Sequence, residues 1–401
     1  MLTRRSFMQS GAAAAAVAAS VRSARADTPG ITDTEIKIGQ TMPYSGPASA
    51  YGVIGRTESA YFKMINEMGG IGGRKLNLIS LDDGYSPPKT VEQVRRLVED
   101  EKVAFLFQTL GTPPNAAIRQ YLNDRKIPQL FVATGAAMFA DPKQFPWTMG
   151  YNPNYETESK IYGKHIMATK PAAKIAVLYQ NDSFGKDYLI GLKEGLGSDH
   201  EKMIVKEASY ETSEPTVDSQ VVTLQGSGAD VFLIAATPKF AAQAIRKSFD
   251  LGWNATRYIS NVSVSITTIL KPAGLDKSKG LITGGYVIDV TDPRYATDPD
   301  LKLWKDFTSK YMSQTEYADV NAAYAFGAAA TMIQVLKQCG NDLTRENVMK
   351  QAANIKDFKA PLLIPGISVN TAPDNYSPIR QLQLATFDGT SWQPSGAVLS
   401  G

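Results

Sequence analysis

The groups in this chain best suited to hold a small molecule sit where an apolar run, Val103 to Phe107, gives way at Gln108 to Thr109-Leu110-Gly111-Thr112-Pro113-Pro114-Asn115. Thr112 suits a helix N-cap, and Pro113 suits the first helical position, where its missing N–H costs nothing. A helix start of this kind offers N–H donors and a positive dipole end to an anion. The same residues also make a plain structural cap, and the loop alone favours that simpler reading. Two prolines remove donors, so any anion grip would rest on the Thr112 hydroxyl and N–H. The neighbouring segment Ala133-Thr134-Gly135, after the apolar run Gln129 to Ala133, offers a further hydroxyl and N–H.

Reactive chemistry has little else to work with. The two histidines, His165 and His200, fall in a helical stretch and a polar connection, without partners for a metal site or a triad. No G-x-x-x-x-G-K-[ST] supports a nucleotide site, and no G-x-S-x-G elbow supports acyl transfer. Gly69-Gly70-Ile71-Gly72-Gly73-Arg74-Lys75 follows a helix and precedes a strand, the reverse of the dinucleotide order, so it reads as a turn. Paired acids such as Asp82-Asp83 are ordinary surface features and make a weak case for a glycosidase. The expectation is a protein that is not an enzyme and carries no cofactor or metal.

The elements that must position these groups alternate between two periods. Ile36 to Met42 reads as a strand, and Val53, Tyr61, Met64, Ile65 and Met68 fall on one helical face that ends at Gly69-Gly70. Strands at Leu76–Leu81, Val103–Phe107 and Gln129–Ala133 alternate with helices around Val91–Val98 and from Pro113 to about Asp124. The pattern restarts after Tyr151-Asn152-Pro153: helix Ile161–Met167, strand Lys174–Tyr179, helix Tyr188–Leu196, then strands Met203–Ala208, Val231–Ala235 and Tyr258–Ser260. Helices lie near Val217–Leu224 and Phe240–Leu251. Such alternation means βαβ units and a parallel sheet, here twice over. Helices at Asp300–Met312 and Val320–Gln338 follow. The tail, Pro365–Val369 and Gln381–Phe387 with a turn at Asp388-Gly389, reads as a hairpin completing a sheet edge.

The stretch up to Ala26 reads as an address. Arg4-Arg5-Ser6-Phe7, an Ala/Gly-rich run from Gly11 to Val21, and Ala24-Arg25-Ala26 give a charged region, a short apolar region and a cleavage site, in the manner of a twin-arginine export signal cut after Ala26. The whole chain carries 42 basic and 39 acidic residues. Removing the four leader arginines leaves 38 bases against the same 39 acids, a formal charge of −1. The sequence pI of 8.6 is therefore no argument for a nucleic-acid partner or an anionic membrane. The single cysteine, Cys339, cannot close an internal disulfide. No cysteine follows the apolar region to take a lipid anchor, which points to a Gram-negative periplasm. The chain beyond Ala26 is long enough to fit two lobes better than one core.

Several phrases then follow one another at a recognisable spacing: Ile36-Lys37-Ile38-Gly39, Tyr44-Ser45-Gly46-Pro47, Tyr51-Gly52, Asn66-Glu67-Met68-Gly69-Gly70-Ile71-Gly72-Gly73-Arg74, Asp82-Asp83 and Asn181-Asp182-Ser183-Phe184-Gly185. Over essentially all of the chain beyond the leader, it resembles the periplasmic branched-chain amino-acid-type (leucine/isoleucine/valine-binding-like) solute-binding proteins of ABC importers. That resemblance implies an α/β fold of the type I periplasmic binding protein class, with two Rossmann-like lobes joined by a three-segment hinge. It puts 27–150 and 285–360 in the first lobe, and 151–284 and 361–401 in the second. The ligand would lie between them, beyond the carboxyl ends of the strands.

The same resemblance implies the site residues. Thr112 matches a hydroxyl residue that grips the ligand carboxylate, with Gly111, Ala133 and Thr134 beside it. Tyr51 and Phe184 match pocket aromatics from opposite sides, and for Tyr51 core packing under the first helix is the alternative. Tyr286 and Tyr151, near the inferred crossings, are weaker candidates, and Asp182 reads as a helix cap. At Tyr258-Ile259-Ser260-Asn261-Val262-Ser263 the chain departs from the pattern: amino-acid-binding members place an acid there for the ligand ammonium, and this chain has Asn261. Burying an ammonium without a counter-charge is costly. The expectation is therefore a ligand that keeps its carboxylate and lacks the α-amine, such as an aromatic or other hydrophobic acid.

The implied role is capture of a small carboxylate in the periplasm and delivery to an ABC permease, by a monomer with no nucleic-acid partner. The rivals are an amino-acid-binding protein of the same transporter class, an extracytoplasmic sensor, and an exported α/β enzyme.

Overall fold

The computed structural model describes residues 28–400, so the leader expectation lies outside the described residues. Strands β1 (Glu35–Met42), β2 (Lys75–Asp82), β3 (Phe105–Phe107), β4 (Gln129–Val132) and β5 (Thr148–Gly150) form one sheet in the order β2-β1-β3-β4-β5, with every pair parallel. Helices α1 (Gly52–Glu67), α2 (Pro87–Arg95) and α3 (Thr112–Asp124) connect them. The short runs β3 and β4 are buried along their whole length, as strands of a sheet covered on both faces must be.

After α4 (Tyr155–Thr169) the same order is built again. Strands β6 (Ile175–Gln180), β7 (Ile204–Tyr210), β8 (Val231–Ala235), β9 (Thr256–Ile259) and β10 (Ile282–Gly285) run β7-β6-β8-β9-β10 in parallel. Helices α5 (Ser183–Leu196), α6 (His200–Met203), α7 (Asp218–Gln225), α8 (Pro238–Asp250), α9 (Lys271–Ala273) and α10 (Leu275–Ser278) lie between them. Helices α4 and α5 cross closely because the crossing is lined with glycine: a Cβ on Gly191 would stand 2.0 Å from the Glu156 carbonyl oxygen.

The chain then returns to the first sheet. Helices α11 (Pro299–Tyr311) and α12 (Val320–Cys339) pack on α1, with Tyr61 edge-on to Phe326 at 4.9 Å, and α13 (Arg345–Ala352) packs on α12. Antiparallel strands β11 (Gln381–Phe387) and β12 (Trp392–Ser400) finally extend the second sheet beyond β10. The chain therefore passes between the two sheets three times, at 151–154, 286–298 and 353–380.

One tail expectation needs correction. Pro365–Val369 is no strand, since it carries only the isolated bridge Phe358–Val369. The hairpin joins β11 to β12 through Asp388-Gly389, and β12 forms the sheet edge. Strands β5 and β10 and helix α13 had no sequence expectation. No described helix is long and apolar enough to cross a membrane.

Candidate functional site

Both sheets reverse their strand order in the same place, between β1 and β3 in one and between β6 and β8 in the other. Ligands of open α/β sheets sit at such reversals, beyond the carboxyl ends of the strands. A crevice fills that position. It holds about 1220 Å³ of space outside the atoms, the part open to solvent included. Its walls are the segments that leave the strand ends: Tyr51 after β1, Tyr85 after β2, Leu110–Thr112 after β3 and Ala133 after β4. From the other sheet come Phe184 after β6, Thr237 after β8, Asn261 and Val262 after β9, and Thr283–Val290 along and beyond β10. Among the described residues, no lysine, arginine or histidine lines it.

At the β3 end, Gly111 stands at φ +97° and a Cβ there would lie 2.5 Å from the Tyr85 ring, so the position needs glycine. Thr112 is the first residue of α3 rather than its cap; Gly111 is the capping residue, and no side chain caps this helix. The Thr112 hydroxyl instead shares a 2.6 Å hydrogen bond with that of Thr134. Pro113 and Pro114 have no N–H, so within 112–114 the only amide donor is that of Thr112.

Of the eight residues singled out in the sequence, Tyr51, Gly111, Thr112, Ala133, Phe184, Asn261 and Tyr286 meet on the crevice wall. Thr134 stands behind it: its amide donates to Val132 O at 2.8 Å and its hydroxyl is engaged with Thr112. Tyr151 is buried against Thr331, with 2.8 Å between the hydroxyl oxygens, and lies off the wall. Asp182 caps α5 by accepting from the Gly185 amide at 3.2 Å.

Aromatic rings dominate the walls. Tyr155 lies edge-on to Phe184 at 4.9 Å, and Tyr286 edge-on to Tyr324 at 6.3 Å. Tyr324 reaches both Gln108 Oε1, at 2.9 Å, and Asn152 Oδ1, at 2.8 Å. Tyr155 and Tyr324 come from α4 and α12, which no local sequence signal tied to the β3 loop. Tyr85 is set by the acid pair that read as ordinary surface residues: Asp83 accepts from the Tyr85 amide at 2.9 Å and holds its backbone at φ +62°. Asp82 accepts from the amides of Tyr44, Ser45 and Gly84 at 3.0–3.1 Å, which pins the loop after β1.

Asn261 follows β9, as the strand-end alignment implied, and its backbone N–H donates to Glu158 Oε1 at 2.9 Å. Both polar atoms of its side chain are buried without a partner. Glu158 lies behind the wall, its other oxygen accepting from Tyr188 Oη at 2.6 Å. Burial pushes its pKa up to about 7, against the hydrogen bonds it accepts. The sequence implied no acid facing the ligand; the structure instead places Asp289 and Asp292 on the wall near Trp392. Both are engaged. Asp292 pairs with the Arg294 guanidinium, and Asp289 accepts from Thr291 and from the Trp392 amide.

Residues 35–391 match the periplasmic binding protein family. A Leu/Ile/Val-binding protein homolog from Brucella suis is 25% identical over 362 residues, covering 88% of this chain and 90% of that one. A branched-chain amino acid ABC transporter protein from Thermus thermophilus, solved with bound valine, superposes with a TM-score of 0.82 at 16% identity, over 92% of this chain and 98% of its own. A fatty acid ABC transporter substrate-binding protein from Thermomonospora curvata gives 0.75 at 20%, over 93% and 94%. At such identities the two structures speak for the fold alone, the type I arrangement of two α/β sheets. With the family match spanning nearly all the described strands, the chain belongs to the periplasmic binding proteins, and it is a solute-binding protein rather than an enzyme.

Proposed function

We propose that this protein is the substrate-binding component of an ABC importer and that it takes a small hydrophobic or aromatic carboxylate into the crevice for delivery to a permease. The observation that carries the reading is the pairing of neutral anion donors at Thr112 with a neutral carboxamide, Asn261, at the strand end opposite. Thr112 would hold the carboxylate through its hydroxyl and N–H, with Thr134 orienting that hydroxyl. Gly111 and Ala133 would leave room for it, and Tyr51, Phe184 and Tyr286 would cover the apolar part. Residues 27–150 with 285–360, and 151–284 with 361–401, would be the two bodies that close on the guest. A ligand touching both favours the closed state by its differential affinity. Export through the leader, with cleavage after Ala26, completes the reading.

The second reading is an amino-acid ligand, which the Brucella relative's name and the wall position of Asp289 favour. A thermal-shift and calorimetric panel of aromatic acids, aliphatic acids and amino acids separates the two. Ligand at about 100 times its dissociation constant stabilises the native state by roughly 2.7 kcal/mol. Tight binding of leucine or valine, with none of any amine-free acid, would overturn the carboxylate reading.

A further inference from the structure

Two carboxamides on the crevice wall carry buried atoms without a partner. Asn261, 8% exposed, leaves both Nδ2 and Oδ1 buried without a partner, and Asn321, also 8% exposed, leaves Nδ2 so. A buried amide off the wall shows the contrast: Asn115 donates to the Thr109 and Gly111 carbonyls at 2.8 Å each and accepts from Gln129 at 2.7 Å. Three of the six unpartnered buried side-chain atoms among the described residues therefore belong to these two wall residues. Folded proteins rarely leave such groups unpaired, and a ligand is one ordinary explanation where they occur.

The carboxamides approach from opposite sides. Asn261 follows β9 of the second sheet, while Asn321 lies in the first turn of α12, which packs on α1 beside the first sheet. The two segments come close, because the carboxylate of Asp319, which caps α12 through the Asn321 amide at 2.9 Å, lies near the hydroxyls of Ser265, Thr267 and Thr268 just after Asn261.

Resting on the carboxylate reading above, we propose that the guest also carries a hydroxyl, received by Asn261 and Asn321 between the two sides of the crevice. A hydroxyl is both donor and acceptor. It can accept from Asn321 Nδ2 and donate to Asn261 Oδ1. A second carboxylate would find no lysine, arginine or histidine on the described wall. An ammonium would leave both Nδ2 groups unpaired, and the two wall acids are already engaged. A ring-hydroxylated aromatic acid, with its carboxylate at Thr112, pairs Asn321 Nδ2 and Asn261 Oδ1 and leaves only Asn261 Nδ2.

The test is calorimetry on matched pairs: phenylalkanoic acids against their ring-hydroxylated analogues, and phenylalanine against tyrosine, with wild type, Asn261→Leu and Asn321→Leu. Expected is at least tenfold tighter binding of one hydroxylated acid than of its parent. That preference should fall below about threefold in each variant. Asn321→Ala, with a melting curve, serves if the leucine variant fails to fold. Equal binding of each pair by wild type, or a preference that survives both substitutions, overturns the hydroxyl site and leaves the carboxylate reading standing. Tyrosine preferred over phenylalanine, with no amine-free acid bound, would keep the hydroxyl site and overturn the amine-free reading. Binding of none of these compounds overturns both.

Discussion

The hydroxyl of Tyr51 donates to the carbonyl of Val262 at 3.0 Å, across the crevice. Tyr51 leads into α1 beside the first sheet, and Val262 lies in the turn after β9 of the second. A second bond of the same kind runs from the Ala137 amide to Asp187 at 2.8 Å. These two bonds tie the first sheet's side of the crevice to the second's.

Tyr51→Phe removes the first of these while keeping the ring. A neutral hydrogen bond contributes roughly 1 kcal/mol net. The expected result is a shift toward the open form and a loss of ligand affinity of about fivefold, without loss of fold. Small-angle scattering of the unliganded protein should show a larger radius of gyration than wild type, and calorimetry should show the weaker binding.

Thr112→Val keeps the volume of the side chain and removes the hydroxyl proposed to hold the carboxylate. Hydrogen bonds to charged groups are worth about 1.5–3 kcal/mol, so affinity for a carboxylate ligand should fall at least tenfold. Thr134→Val, acting through the 2.6 Å bond to Thr112, should cost less. Equal losses in the two variants, read by titration, would mean that Thr134 touches the ligand itself.

Gly111→Ala should destabilise the protein and empty the site together. The backbone there stands at φ +97°, and the new methyl would press on the Tyr85 ring. Substitutions at such positions cost more than about 1 kcal/mol, visible as a lowered urea midpoint.

Burial pushes the pKa of Glu158 up to about 7, and that of Asp187 likewise. Unfolded carboxyls titrate near pH 4. Between pH 4 and 7 the folded state therefore holds more protons, and these groups make stability fall as pH rises through that window. Glu158→Gln removes the fully buried one, so its urea-derived stability should lose less than wild type's between pH 5 and pH 8, by on the order of 2 kcal/mol. A variant curve parallel to wild type's would contradict this.

Much of the architecture was legible because both halves write their strands and helices in clean periods; β8 falls where the Val231–Ala235 run placed it. Strand β12 was not, since Pro394 and Gly396 interrupt it and its exposed edge position demands no apolar alternation. Strand β5 is too short to show a period. At the site, Thr112 and Asn261 were legible because strand ends announce themselves locally. Tyr155, Asn321, Tyr324 and Trp392 were not, because only tertiary folding brings α4, α12 and β12 to the crevice. The Thr112 cap failed for a local reason: with Gly111 left-handed, the Thr112 backbone is already helical and its hydroxyl turns toward Thr134.

Helix α12 rests on α1 although one begins at Val320 and the other at Gly52, and Tyr151 bonds Thr331 across 180 positions. A ribosome that has released the chain only as far as Asp298 has delivered a five-stranded sheet without the helix that covers α1. Closing so long a loop is slow, and the apolar face of α1 stays open to misassociation meanwhile. The amino-terminal half of this protein therefore has to wait for nearly the whole chain to be made before its own interior is complete.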